Sequence, residues 1–77
     1  NIFPNPTSDR VNIKLNDDMS LKGLSLLDIT GRVIPTNIFL NSQNSFYLDL
    51  SKLADGIYYL QLFIDESKYI NKIIVQH

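Results

Sequence analysis

The chain has no cysteine and no tryptophan, and only one methionine and one histidine. Without cysteine there is no disulfide staple and no thiolate metal site. The lone histidine is His77, at the end of the chain. With no second histidine and no thiol, neither a Ser-His-Asp nor a Cys-His arrangement has a scaffold. Glycine is scarce, with three in all, and none sits in a phosphate-cradling loop motif. Neither sign of charge dominates: seven Lys and Arg face eight Asp and Glu, for a net charge of −1. Such a balance gives no long-range field to gather nucleic acid or an anionic membrane. The basic residues are also not interleaved with aromatics. No apolar run approaches the ~18 residues of a membrane span, and no signal peptide is legible. The acidic pairs Asp17-Asp18 and Asp65-Glu66 fall in separate turns, whereas calcium needs about six oxygens in close array. They read as solvated. No cofactor, no metal and no enzymatic activity are expected.

What remains is an apolar share of 44% in 77 residues, ordinary for a globular domain. The length suits one domain spanning 1–77. A chain this short buries only roughly 60% of its unfolded surface, so its margin of stability is thin. It does not begin with Met and reads as a segment excised from a longer protein. The single Asn-x-Thr pattern is Asn5-Pro6-Thr7, where proline blocks glycosylation.

The apolar residues recur at every second position. Val11, Ile13 and Leu15 alternate with Asn12 and Lys14; Leu24 and Leu26 flank Ser25; Phe46, Leu48 and Leu50 alternate with Tyr47 and Asp49. This is the period of a half-buried strand. Short strands are predicted at Arg32-Val33-Ile34 and around Ile38 and Leu40, with Pro35 interrupting the first, as on an edge or at a switch between strands. A last strand runs from Tyr69 to Val75 after a hairpin turn at Asp65-Glu66-Ser67. Asp28-Ile29-Thr30-Gly31 suits a type I turn, often with a bulge.

The stretch from Leu50 to Leu62 carries the most information. Leu50 and Leu53 anchor a short crossing, Asp55-Gly56 makes a turn, and Tyr58, Leu60 and Leu62 alternate behind it. Such a corner carries a β-sandwich from one sheet to the other. The Tyr58 ring is expected in the core, with its hydroxyl bonded back to the corner backbone. About six or seven strands, with turns roughly every 8–12 residues, predict an all-β, immunoglobulin-like antiparallel β-sandwich.

Three blocks stand in order: Phe3-Pro4-Asn5-Pro6; Leu24-Ser25-Leu26-Leu27-Asp28-Ile29-Thr30-Gly31-Arg32-Val33-Ile34; and Leu53-Ala54-Asp55-Gly56-Ile57-Tyr58-Tyr59-Leu60-Gln61-Leu62, followed by Lys72-Ile73-Ile74-Val75. In order and spacing the chain resembles the type A C-terminal sorting domain of the type IX (Por) secretion system of Bacteroidota. The resemblance covers essentially the whole chain. It departs at Leu27, where the family often has Tyr, and at the terminal Gln76-His77. It implies an immunoglobulin-like address label on secreted cargo. The implied partners are the outer-membrane translocon and shuttle components of that system. A sortase-like cysteine peptidase is implied to cut just upstream of the domain. The implied route is periplasm in transit, then the outer-membrane surface or the medium. The rival reading is an immunoglobulin-like carbohydrate-binding or adhesion module of a surface enzyme, with Tyr47, Tyr59 and Tyr69 as an aromatic platform.

Each candidate recognition residue has a plainer reading beside it. Pro4, Asn5 and Pro6 are a rigid lead-in to the first strand, or a spacer holding the cleavage site clear of the fold. Asp28 and Gly31 make a turn; Arg32 pairs with Asp28 or presents its charge to a partner. Leu53, Gly56 and Tyr58 are structural. Ile57, Tyr59 and Phe63 leave both faces of one strand apolar, with Leu27 and Ile74 expected to add to the same outer surface. Such a surface is a docking patch for secretion machinery, or is covered by a loop or a weak homodimer contact. Lys72, Ile73, Ile74 and Val75 close an edge strand, or form a part of the signal that the translocon reads by strand addition.

Overall fold

The computed structural model describes residues 2–3, 9–42 and 44–77. Pro4, Asn5 and Pro6 lie outside the described residues. The strands are β1 (Ile2–Phe3), β2 (Arg10–Lys14), β3 (Leu21–Leu27), β4 (Val33–Ile34), β5 (Asn37–Ser42), β6 (Ser45–Asp49), β7 (Gly56–Ile64) and β8 (Ser67–Val75). They form two four-stranded sheets, β1-β2-β6-β5 and β4-β3-β7-β8, and every pairing is antiparallel. This is the all-β sandwich expected. Six strands have five or more residues; β1 and β4 are two-residue additions at sheet edges.

Alternation decides which side chains go inside. Val11 and Ile13 of β2, with Leu15 just beyond it, and Leu48 of β6 with Leu50 after it, face Leu26, Tyr58, Leu60, Leu62, Ile64, Ile73 and Val75 from the other sheet; all twelve are buried. Met19, Leu21, Leu24, Ile34, Phe46 and Leu53 close the rim of this core. At about 25 cal/mol per Å² of apolar surface, burial of this set is the principal force favouring the fold.

The chain changes sheets three times, each time at a breaker. After β2, Asn16 accepts the amide of Met19 (3.0 Å) in a tight turn before β3 begins in the second sheet. Pro35 stands between β4, in the second sheet, and β5, in the first. Lacking an N–H and fixed in φ, it suits the switch and not the ladder. The third crossing is the corner from β6 to β7. Leu50 donates to Asp9 O (2.8 Å) and accepts from Leu53 N (3.1 Å). The Tyr58 hydroxyl donates to Ala54 O at 2.8 Å. Gly56 has φ +156°, where an added Cβ would meet only Tyr58, at 3.9 Å; its cost would come from the backbone and not from a clash.

β7 and β8 form the longest hairpin, with Asp65-Glu66 between paired Ile64 and Ser67. Asp65 takes φ +54°, a conformation that Asp tolerates better than most residues. It is fastened to the start of β3: its amide donates to Ser20 O (2.9 Å), and its carboxylate accepts Ser20 N (3.2 Å).

Candidate functional site

Each sheet has an outer face, and the two differ in chemistry. On the first sheet, Arg10, Asn12 and Lys14 stand outward opposite Asp49, Tyr47 and Ser45, with Asn37 and Phe39 on β5 beyond. This is a mostly polar, solvated face. Its aromatics are tied to one another. Phe39 and Tyr47 stack with centroids 4.9 Å apart, and the Arg10 guanidinium lies 4.3 Å from the Tyr47 centroid. Asp49 accepts Ser51 N at 3.0 Å. Hydrogen bonding from Ser51, with Lys52 and Arg10 nearby, holds its carboxyl below the ordinary carboxylate value. Sequence periodicity gives no sign of this cluster, because it depends on β2, β6 and β5 lying side by side.

The outer face of the second sheet is apolar. Pairing sets Val33 beside Leu27 and Leu27 beside Tyr59, and Tyr59 beside Lys72. Ile57 pairs with Ile74 one row on; Ser25, Gln61 and Ile70 form the row on the other side. Val33 is 60% exposed, Ile70 56%, Ile57 39% and Tyr59 36%, so the row is open to solvent from the β4 edge to β8. The predicted companions of Tyr59 are therefore brought together, and Val33 and Ile70 join them. Val33 could have been found by counting back across the Gly31 turn, which sets it opposite Leu27.

Phe63 lies further along the same face, opposite Gly23. A Cβ on Gly23 would stand 3.4 Å from the Phe63 ring, so the glycine leaves room for the ring to cover the backbone. Phe63 is half-buried and serves the packing of β3 on β7 as well as the face.

The predicted terminal set divides by register. Lys72 and Ile74 point to the outer face, whereas Ile73 and Val75 are fully buried in the core. Beyond them, His77 returns to the corner: its amide donates to Asp55 (3.1 Å), and its ring Nε2 lies 2.7 Å from Leu53 O. The corner residues Leu53, Ala54 and Asp55 thus hold both Tyr58 and the last residue.

The Asp28 turn is built from its own side chain. Asp28 Oδ1 accepts Thr30 N (2.9 Å), Thr30 Oγ1 (2.6 Å) and Arg32 N (3.0 Å), while Gly31 N donates to Asp28 O (3.0 Å). Gly31 takes φ +88°. The hydrogen bond from the Thr30 hydroxyl, helped by the Arg32 and Thr30 amides and the Arg32 charge, holds the Asp28 carboxyl below its ordinary value. Arg32 Nε lies 3.3 Å from Asp28 Oδ2, yet its side chain is 77% exposed. Both plain readings of this turn hold geometrically, and the guanidinium stays open to solvent at the β4 end of the apolar face.

The three tyrosines named as a sugar platform lie on different surfaces. Tyr47 is on the outer face of the first sheet and Tyr59 on that of the second. Tyr69 is on the inward side of β8, lining an open groove of about 670 Å³ with Ile13, Leu15, Met19, Leu62 and Ile64. They form no common platform. Among the described residues no group of three or more His, Cys, Asp and Glu could hold a metal ion, and no helix is long and apolar enough to cross a membrane.

A family model described as a secretion system C-terminal sorting domain matches residues 1–76. No curated protein and no solved structure matches the chain.

Proposed function

Because the chain belongs to the family of secretion system C-terminal sorting domains, we propose that the apolar outer face of its second sheet is the surface on which secretion machinery reads it. The domain is a C-terminal signal for type IX secretion, and the family is not a catalytic one. Its task is to be recognised, and export across the outer membrane is the outcome.

One observation carries the reading. In a two-sheet domain each outer face meets water, and the first sheet meets it with mostly polar side chains around the stacked Phe39 and Tyr47. The second keeps Val33, Leu27, Tyr59, Ile57, Ile74 and Ile70 on its outer side, four of them exposed. A contiguous apolar face on so small a domain marks an interface. The core is supplied from the other side of the same strands, so stability does not require it.

The occupant is a component of the type IX machinery, either the outer-membrane translocon or a shuttle component, met in the periplasm during transit. A sortase-like cysteine peptidase then cuts upstream of Pro4, Asn5 and Pro6. The cargo is afterwards attached to the surface or released. Lys72 and Ile74 belong to the recognised surface; Ile73 and Val75 act by anchoring their strand in the core.

The test is export of a fluorescent reporter carrying this domain in a Bacteroidota host. Replacing Val33 and Tyr59 together by Ser is expected to lower export while leaving the thermal unfolding of the purified domain nearly unchanged. Normal export by that variant would refute the assignment of the face.

A further inference from the structure

Taking the docking face as given, we propose that its occupant is a protein whose apolar contact surface is bordered by carboxylates. The distribution of charge points to it. The four strands of the second sheet contain three lysines, Lys22, Lys68 and Lys72, and no Asp or Glu. Lys68 pairs with Phe63 and Lys72 with Tyr59, both on the outer face. Lys22 is the extra residue of the bulge between Leu21 and Gly23, exposed at the same end as Lys68. Arg32 stands beside Val33 at the opposite edge.

The acids near this sheet lie beyond the strand ends: Glu66 is exposed in the turn between β7 and β8, and the other three are engaged. Asp28 holds its own turn, Asp55 accepts the His77 amide, and Asp65 accepts Ser20 N. A chain with net charge −1 thus offers an apolar face rimmed by cations. Complementary potentials steer encounter and exclude wrong partners, so the fitting surface is apolar with an acidic rim.

Edge protection and lipid binding would each use lysine in a different pattern. Lysine on an edge strand guards against sheet-to-sheet aggregation. That accounts for Lys68 and Lys72 on β8, and for Lys22 on the stretch of β3 that β4, paired only with Leu26 and Leu27, leaves open. Glutamate also blunts edges, yet no strand of this sheet carries one. An anionic lipid surface would attract the same cations, at about 1 kcal/mol each. Lipid-binding clusters, however, gather about 4–8 basic residues in one place, whereas these four are spread between opposite ends of the face.

The experiment compares Lys22→Glu/Lys68→Glu, Lys22→Arg/Lys68→Arg and the control Lys52→Glu in the reporter strain, beside the Val33→Ser/Tyr59→Ser variant. Purified domains are also sedimented with vesicles of phosphatidylcholine containing phosphatidylglycerol. The expected result is a loss of export on the order of tenfold for the double Glu variant, as like charges meet across the rim. Wild-type export is expected for the Arg variant and for Lys52→Glu, with equal thermal midpoints and no sedimentation with vesicles. Normal export of the double Glu variant overturns the acidic rim. If Val33→Ser/Tyr59→Ser still fails to export, the docking face itself stands. Charge-dependent sedimentation of the wild type with vesicles overturns the protein partner in favour of lipid.

Discussion

At the scale of single residues, the hydrogen bonds that close turns set the local shape, and each has a measurable worth. The Tyr58 hydroxyl reaches Ala54 O at 2.8 Å from a largely buried ring. Tyr58→Phe keeps the ring and removes this bond, so unfolding by urea should show a loss of about 1 kcal/mol. Gly31 has open space around it but φ +88°; Gly31→Ala should cost about 1–2 kcal/mol from backbone strain alone. Asp28 and Asp49 both have carboxyls held below the ordinary value. A depressed folded value means that the unfolded chain binds the proton first as pH falls. The stability these groups contribute is therefore present above about pH 4 and is lost as pH drops through their folded values. Asp28→Asn should be less stable than wild type at neutral pH, and the two thermal midpoints should converge in acid. Asp28, Gly31 and Tyr58 were legible in the sequence because turn chemistry is local; Asp49 read only as an outward strand position. Asp, Thr and Gly within four positions specify a turn without reference to the rest of the chain.

At the scale of elements, one strand divides the core from the face proposed for recognition. β8 sends Ile73 and Val75 inward and Lys72 and Ile74 outward. Ile73→Ala opens a cavity in the closed core and should destabilise the domain by roughly 2–5 kcal/mol, a large part of what so small a domain has. Tyr59→Ser, on the outer face of the neighbouring strand, should shift the calorimetric midpoint little. Period-two alternation made the strands legible, and the corner before Tyr58 followed from residue type; at Pro35 residue type allowed an edge or a switch, and the structure has the switch. Pairing across distant segments was not legible. The stack of Phe39 on Tyr47 beneath Arg10 requires three strands from two parts of the chain. The half-burial of Phe63 depends on the bulge that brings Gly23 beneath its ring. The inward turn of Ile73 and Val75 follows from the register of β8 on β7, which the run of apolar residues from Ile73 to Val75 does not by itself fix.

At the scale of the whole molecule, the proposed reading gives the two sheets separate duties. Their facing sides make one core, and their outer sides present two unlike surfaces, one mostly polar and one apolar with basic residues around it. That asymmetry is what a recognised label needs, since a sandwich with two polar faces would fold as well and offer nothing to hold. The central claim is that this sandwich suffices to direct export. The measurement that tests it most directly fuses a signal peptide, a fluorescent protein and residues 1–77 with the native upstream linker in a Bacteroidota host. Surface and medium fluorescence are compared with a strain lacking the translocon. Export that depends on the translocon is the predicted result. A stable reporter held in the periplasm, while a known sorting domain run in parallel is exported, would contradict the account.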